Sequence, residues 1–432
     1  MEPCKLTAAQ AVAQMRDGRL SCEALVRSCL ERIAARDPLV RAWLHVDPER
    51  AIRDARELDK CPSRGVLHGL PIGVKDVIDT ADYPTTQNSA IYAGLQVGRD
   101  AACVAIARGR GALVLGKTDT VEFASSGRKA LTRNPHNPAH TPGGSSSGSG
   151  AAVADFMVPL AFGTQTGGSV IRPAAFTGIY AMKPSWNLVS REGARMSSPT
   201  LDTIGWYGRS VADLALMGEA MGLKPAGTPP AVQGLRVGVC RSPVWKHIEP
   251  SGEAALAAAA ARLAAAGARV TDLALPALFD GVSQAQNIIA SREGGASFMP
   301  EYVTARAQLS DELSAKVENR EGLSDEALLA AYATADAARP VFDRLFGTDL
   351  DVVLTPASPG EAPKGLHTTG NAIFNRMWTL LHVPCVAIPA GRGVLGLPVG
   401  LQLVGPRLSD AKLLALAAVL APVIDVEAAS GA

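Results

Sequence analysis

Residues 141–184 read TPGGSSSGSGAAVADFMVPLAFGTQTGGSVIRPAAFTGIYAMKP, and the rest of the chain is organised around them. Two Gly/Ser-rich knots, residues 143–149 and 163–169, are separated by a helix-length and a strand-length apolar segment. Residues 151–156 predict a short helix and residues 157–162 a buried strand. Such a layout delivers hydroxyls and bare backbone N–H groups to one place, with glycine permitting close backbone approach. Gly/Ser surface linkers share this composition but are not interleaved with core-forming segments. The stretch reads as a site and not as a tether.

Outward from it, the pattern alternates strands and helices. Residues 7–60 are helical in period, with Thr7 and Ser21 placed as caps and Pro48 at a first helical position. Residues 100–109 predict a helix and 112–115 a strand, together a right-handed α/β unit. A helix follows at 211–221, and residues 225–230, Ala-Gly-Thr flanked by prolines, are the best linker candidate. Beyond them come a strand at 235–240, a helix at 252–266 and a mainly helical, more charged section at 279–346. Strands at 351–355, 385–389 and 399–403 and helices at 371–381 and 410–420 complete the reading. This is an α/β pattern, helices around a large, mostly parallel or mixed sheet.

Composition narrows the function. With 432 residues, 47% hydrophobic and 19% charged, the chain has material for a large core. A net charge of +1 without a long basic block argues against nucleic acid as a main partner. The apolar run at 254–268 is mostly alanine and is cut by Arg262, so no membrane span is expected. The first residues lack a basic segment followed by an apolar one, and the seven cysteines are scattered without CxxC spacing. Both point to a cytoplasmic protein with reduced thiols. His136 and His140 lie in a Pro/Asn-rich loop where helical metal spacing does not apply, so no metal is expected.

Lys75 and Asp76 sit in an apolar, strand-like run, LPIGVKDVIDT. The lysine is either a core-edge residue paired with its aspartate or a buried functional amine. Residues 111–118, GALVLGKT, fit the written pattern of a phosphate-binding loop. The intervening Ala-Leu-Val-Leu is the strand itself, however, and its N–H groups belong to the sheet.

Ser169 ends a Thr-Gly-Gly-Ser turn just before a helix that Gly178 closes. The N–H groups of Thr166, Gly167, Gly168 and Ser169 are placed to converge as an oxyanion hole, each donor being worth a few kcal/mol of barrier. A serine needs a base, and no histidine falls in either knot. A neutral Lys75 serves instead if burial lowers its pKa, with a second hydroxyl from the first knot as relay.

GVKD, PGGSSSGSGAAVA and GTQTGGSVIRPA together resemble the amidase signature family. KTDTVEFA, LDTIGWYGRSVADLA and GLPVGLQLVGP agree with it, in the right order. The match runs from about residue 70 to 213 and resumes near 374, with a divergent middle. The resemblance implies the amidase signature fold and a Ser–cisSer–Lys triad. By motif position Ser169 is the nucleophile, Ser145 the serine after a cis peptide bond and Lys75 the general base. Ser146, Ser147 and Ser149 are then loop and capping hydroxyls. It also implies one domain: a helical arm at 1–65, the catalytic core at 66–222, a divergent helical pocket region at 223–370 and a return to the core at 371–432. Acyl transfer without cofactor or metal, a small-molecule amide or carbamate substrate and a homodimer complete the expectation.

Two positions depart from the commoner GTDxGGSIRxPA. Gln165 replaces the aspartate, and Ile171 precedes Arg172, which moves the arginine one residue along. This resembles malonamidase-type members, in which that arginine binds a substrate carboxylate; a loop-bracing Arg172 is the alternative. Gln165 and Thr120 join Arg172 as candidate substrate contacts. The same departures argue against the glutamine-handling subunit of tRNA amidotransferases. Amides, anilides, malonamate-like compounds, esters and carbamates all remain as substrates. Two readings of another class are a non-catalytic binder of the same fold and a nucleotide-binding protein using residues 111–118.

Overall fold

A computed structural model describes residues 2–227 and 231–425, so part of the linker candidate at 225–230 lies outside the described residues. Among them, eleven strands join one sheet. They are β1 (Trp43–Val46), β2 (Pro71–Lys75), β3 (Leu113–Thr118), β4 (Leu160–Gln165), β5 (Tyr180–Lys183) and β6 (Thr203–Gly208). The others are β7 (Arg236–Val239), β8 (Arg269–Asp272), β9 (Val352–Pro356), β10 (Cys385–Arg392) and β11 (Pro398–Val404). Their order is β1-β3-β2-β4-β6-β5-β10-β11-β9-β7-β8. β2 is parallel to both its neighbours, and so is β7. Every other pairing is antiparallel, which makes the sheet mixed, as the alternating pattern predicts.

The central strands are buried along their whole length, because helices cover both faces. The helix Ser147–Ala154 packs on β4 and β2, and Ile171–Thr177 packs on β10 and β11. Gly148 also lets the first of these helices approach the segments just before β1 and just after β3. A Cβ on Gly148 would stand 2.3 Å from the carbonyl oxygen of Ala42.

Several boundaries differ from the sequence reading, each for a local reason. The helix expected at 151–156 starts at Ser147, since the Ser147 hydroxyl returns to Gly143 O at 2.8 Å instead of competing with the helix. The strand expected at 157–162 lies at Leu160–Gln165, because Met157 and Val158 are buried in the connection that precedes it. The N-terminal section is not purely helical: β1 pairs antiparallel with β3 at the sheet edge. In the divergent middle the strands expected at 235–240 and 351–355 are β7 and β9, and β8 is an unexpected third beside helices such as Val282–Ser297 and Asp325–Asp343.

Candidate active site

Lys75 ends β2 with its side chain fully buried. Its Nζ lies 2.7 Å from Ser145 Oγ, 2.7 Å from Thr164 Oγ1 and 3.5 Å from Thr164 O. Asp76 is not its partner. That carboxylate pairs at 3.0 Å with Lys117, itself fully buried, and accepts from the N–H groups of Thr86 and Gln87. The core-edge ion pair left open by the sequence is therefore Asp76–Lys117. Burial pushes Lys75 well below the usual lysine range, with Asp202 opposing and Arg172 reinforcing the shift. Residues 113–118 are β3, and Lys117 there also donates to Pro84 O and Thr85 Oγ1, so the phosphate-loop pattern is a strand with a structural lysine.

The peptide bond between Gly144 and Ser145 is cis. The other hydroxyls of the first knot turn inward to the backbone. Ser146 Oγ accepts from Thr164 N–H and donates to Thr164 O, both at 3.2 Å, and Ser149 Oγ donates to Phe162 O at 2.8 Å. Gly143 has φ +86°, and a Cβ there would stand 2.8 Å from Pro173 Cα, so the turn into the cis peptide has room only for glycine.

The second knot is held by its carbonyls. Gln286 Nε2 donates to Thr166 O at 2.9 Å, and Thr379 Oγ1 donates to Gly167 O at 2.7 Å. The Arg172 N–H donates to Gly168 O at 2.9 Å, and the Tyr207 hydroxyl donates to Ser169 O at 3.2 Å. Among the described residues, the N–H groups of Thr166, Gly167, Gly168 and Ser169 donate to nothing, and the Ser169 hydroxyl makes no hydrogen bond. Ser169 is 9% exposed. Ser145 and Ser169 share no direct hydrogen bond, yet Arg172 ties their two loops. Its N–H bonds the carbonyl before Ser169, and its Nη2 bonds Gly144 O, the carbonyl before Ser145, at 2.5 Å.

Arg172 is 5% exposed and also donates to Thr369 Oγ1 at 3.0 Å. Its Nε is buried without a partner, and no carboxylate pairs with it among the described residues. Burial, with the nearby Arg376 guanidinium adding to it, lowers its pKa to about 10.

Gln165 and Thr120, expected as substrate contacts, both spend their polar groups inside the core. Gln165 Oε1 accepts from the N–H groups of Val170 and Ile171 at 2.9 and 3.0 Å, and its Nε2 donates to Thr379 Oγ1 at 3.0 Å. It caps the helix Ile171–Thr177 from inside the core. Thr120 is fully buried, with its N–H on Asp119 Oδ1 and its hydroxyl on Val121 O. Sequence reading missed Thr164, Tyr207, Gln286 and Thr379, which act on the site from four different elements. It also missed Asp202, whose carboxylate accepts from the Thr166 hydroxyl and from the N–H groups of Ser197 and Ser198. GTQTGGSVIRPA was a usable signal for Thr164 and LDTIGWYGRSVADLA for Asp202 and Tyr207, whereas Gln286 and Thr379 lie in no such motif. His136 and His140 face backbone carbonyls of Thr177 and Ala362, and no metal-holding group occurs among the described residues.

A family model described as Amidase matches residues 24–414. The glutamyl-tRNA(Gln) amidotransferase A-type subunit of Chloroflexus aggregans is 33% identical over 472 aligned positions, covering 95% of this chain and 94% of that protein. Its namesake in Lysinibacillus sphaericus is 34% identical over 460 positions, covering 93% of each. A crystal structure described as an amidase superposes with a TM-score of 0.87 at 29% identity, covering 97% of this chain and 100% of that one. The finer resemblance to malonamidase-type members gains nothing from these comparisons, and the two bacterial subunits carry the name that Gln165 and Ile171 argued against. Among the described residues no helix is long and apolar enough to cross a membrane.

Proposed function

The chain belongs to the amidase family, and from that premise we propose that it hydrolyses an amide-type carbon–nitrogen bond in a small molecule through an acyl-enzyme on Ser169. The observation that carries this reading is the turn at 166–169. All four of its carbonyls are bonded outward, so its four free N–H groups are set to receive an oxyanion.

Lys75 suits the base. A neutral amine has two N–H donors and one lone pair. Thr164 Oγ1 and Thr164 O take the donors, which leaves the lone pair for the Ser145 hydroxyl at 2.7 Å. Ser169 Oγ attacks the substrate carbonyl carbon as its proton passes through Ser145 to Lys75. The tetrahedral intermediate collapses, the carbon–nitrogen bond breaks, and the relay returns the proton to the leaving amine. Water, deprotonated by the same route, then releases the acid and restores Ser169.

Arg172 supports two roles at once. Its bond to Gly144 O braces the cis-peptide loop, while its unpaired Nε and lack of an acidic partner suit a carboxylate on the substrate. Carbamates fit the same chemistry as amides. A second reading, a component that frees ammonia from glutamine for a partner protein, rests on the names of the relatives.

The test is labelling by a serine-directed fluorophosphonate, expected in the wild type and lost in Ser169→Ala. It is paired with a panel of small amides, anilides, carbamates, malonamate and glutamine offered to the protein alone. Turnover of non-glutamine substrates supports the hydrolase. Ammonia from glutamine only, and only with a partner added, supports the second reading. No labelling would leave a non-catalytic binder.

A further inference from the structure

We propose that Arg376 selects the acyl half of the substrate, and that it selects for a carboxylate there. The inference rests on the Ser169 acyl-enzyme reading and deepens it by naming the substrate class.

The helix Ile373–Leu380 lies against the turn that carries Ser169. Thr379 holds Gly167 O, and a Cβ on Gly168 would stand 2.3 Å from Asn375 Oδ1. Between these two residues on the helix, Arg376 brings its Cγ to 4.0 Å from the place where a Gly167 Cβ would be. Its stem therefore borders Gly167, two residues from the nucleophile.

The guanidinium is half-buried, yet among the described residues it makes no ion pair and no hydrogen bond. Other half-buried arginines around the site are engaged. Arg195 pairs with Glu301, Arg191 donates to Pro199 O, and Arg339 donates to Leu380 O. Arg376 also stands near enough to Arg172 to disfavour its charge, and no carboxylate offsets the burial of either. Two partly desolvated guanidiniums without a counter-ion repel each other, and an anion supplied by a ligand relieves that cost. A planar carboxylate matches the guanidinium fork. The proximity of Gly167 to Ser169 restricts the acyl chain to a short one.

Short carboxyacyl p-nitroanilides provide the test, each matched to an uncharged analogue of equal length: malonyl with propionyl, succinyl with butyryl. The wild type is expected to prefer the charged member of at least one pair. In Arg376→Gln the ratio of kcat/KM, charged over neutral, is expected to fall about 30-fold, mainly through KM, with fluorophosphonate labelling of Ser169 retained. Arg376→Lys, which keeps the charge but not the fork, is expected to give an intermediate ratio. An unchanged ratio in Arg376→Gln, or an equal loss on both members of a pair, would overturn the inference. So would a wild type indifferent to charge. Labelling separates the two levels: its absence in the wild type removes the acyl-enzyme itself, whereas its presence with an unmoved ratio removes only the role of Arg376.

Discussion

Thr164→Val tests the protonation chemistry at its least expected contact. Valine matches threonine in shape, and the backbone clasp between Thr164 and Ser146 stays, so only the Oγ1 acceptor 2.7 Å from Lys75 Nζ is removed. In the proposed mechanism Lys75 becomes an ammonium when it takes the proton from Ser169, and that acceptor becomes a charge-assisted partner. Such bonds are worth about 1.5–3 kcal/mol, so the plateau of kcat/KM is expected to fall about 10- to 150-fold. The pH dependence carries the sharper sign. An acceptor favours the charged amine, so its loss lowers the Lys75 pKa further. The acid limb of kcat/KM, along which activity rises as Lys75 loses its proton, therefore moves to lower pH. A chromogenic anilide followed across pH, with Thr164→Ser as the control that restores the hydroxyl, gives both readings. A limb that moves to higher pH, or a plateau and limb that both stay put, would refute the assignment of Lys75 as the neutral base.

Lys75→Ala is expected to lower kcat by about 10³-fold or more, and Ser145→Ala to cost heavily but leave a measurable remainder. Near-wild-type turnover in either would mean that the proton travels another way. Gln165→Leu strips the acceptor from two buried N–H groups and is expected to cost about 2–4 kcal/mol in denaturant unfolding; a change below about 0.5 kcal/mol would contradict the capping role. Burial raises Asp119 from 3.8 to about 6, against hydrogen bonds from Thr132, Thr120 and Leu131. Its folded form thus holds a proton that its unfolded form has released. The stability linked to it is present below about pH 4 and is lost as the pH climbs through 6, at no more than about 1.4 kcal/mol per pH unit. The difference in unfolding free energy between wild type and Asp119→Asn should decline across that window and level off above it. A flat difference would place the titration elsewhere.

What the sequence could give was local. Glycine and serine clusters mark turns, apolar runs mark buried strands, and Lys75, Ser145 and Ser169 stand inside short motifs that read without a fold. The sheet order cannot be read that way. Lys75 meets Thr164 because β2 lies parallel beside β4, and nothing in either strand names the other as its neighbour. The capping role of Gln165 was hidden for a related reason. A polar residue in a reactive motif suggests substrate, and only the folded chain reveals that its amide faces the helix that follows. The short edge strand β1 was hidden in a helical section because four residues carry too little periodicity to register.

The same division bears on how the site works. A Thr-Gly-Gly-Ser turn has no intrinsic preference for pointing its N–H groups one way, since glycine admits many backbone conformations. Direction comes from the carbonyls, and their four partners arrive from the helix Ile171–Thr177, from β6, and from the helices Val282–Ser297 and Ile373–Leu380. Two of those four, Gln286 and Thr379, lie outside the stretch 141–184 and also outside the sheet. Loosening either pin would let a peptide plane rotate and withdraw a donor from the oxyanion without disturbing the Lys75–Ser145 contact. In the proposed mechanism the chemistry is thus set by a short motif, whereas its preorganisation belongs to distant helices. Changes in those helices should act on kcat even where no side chain reaches the substrate.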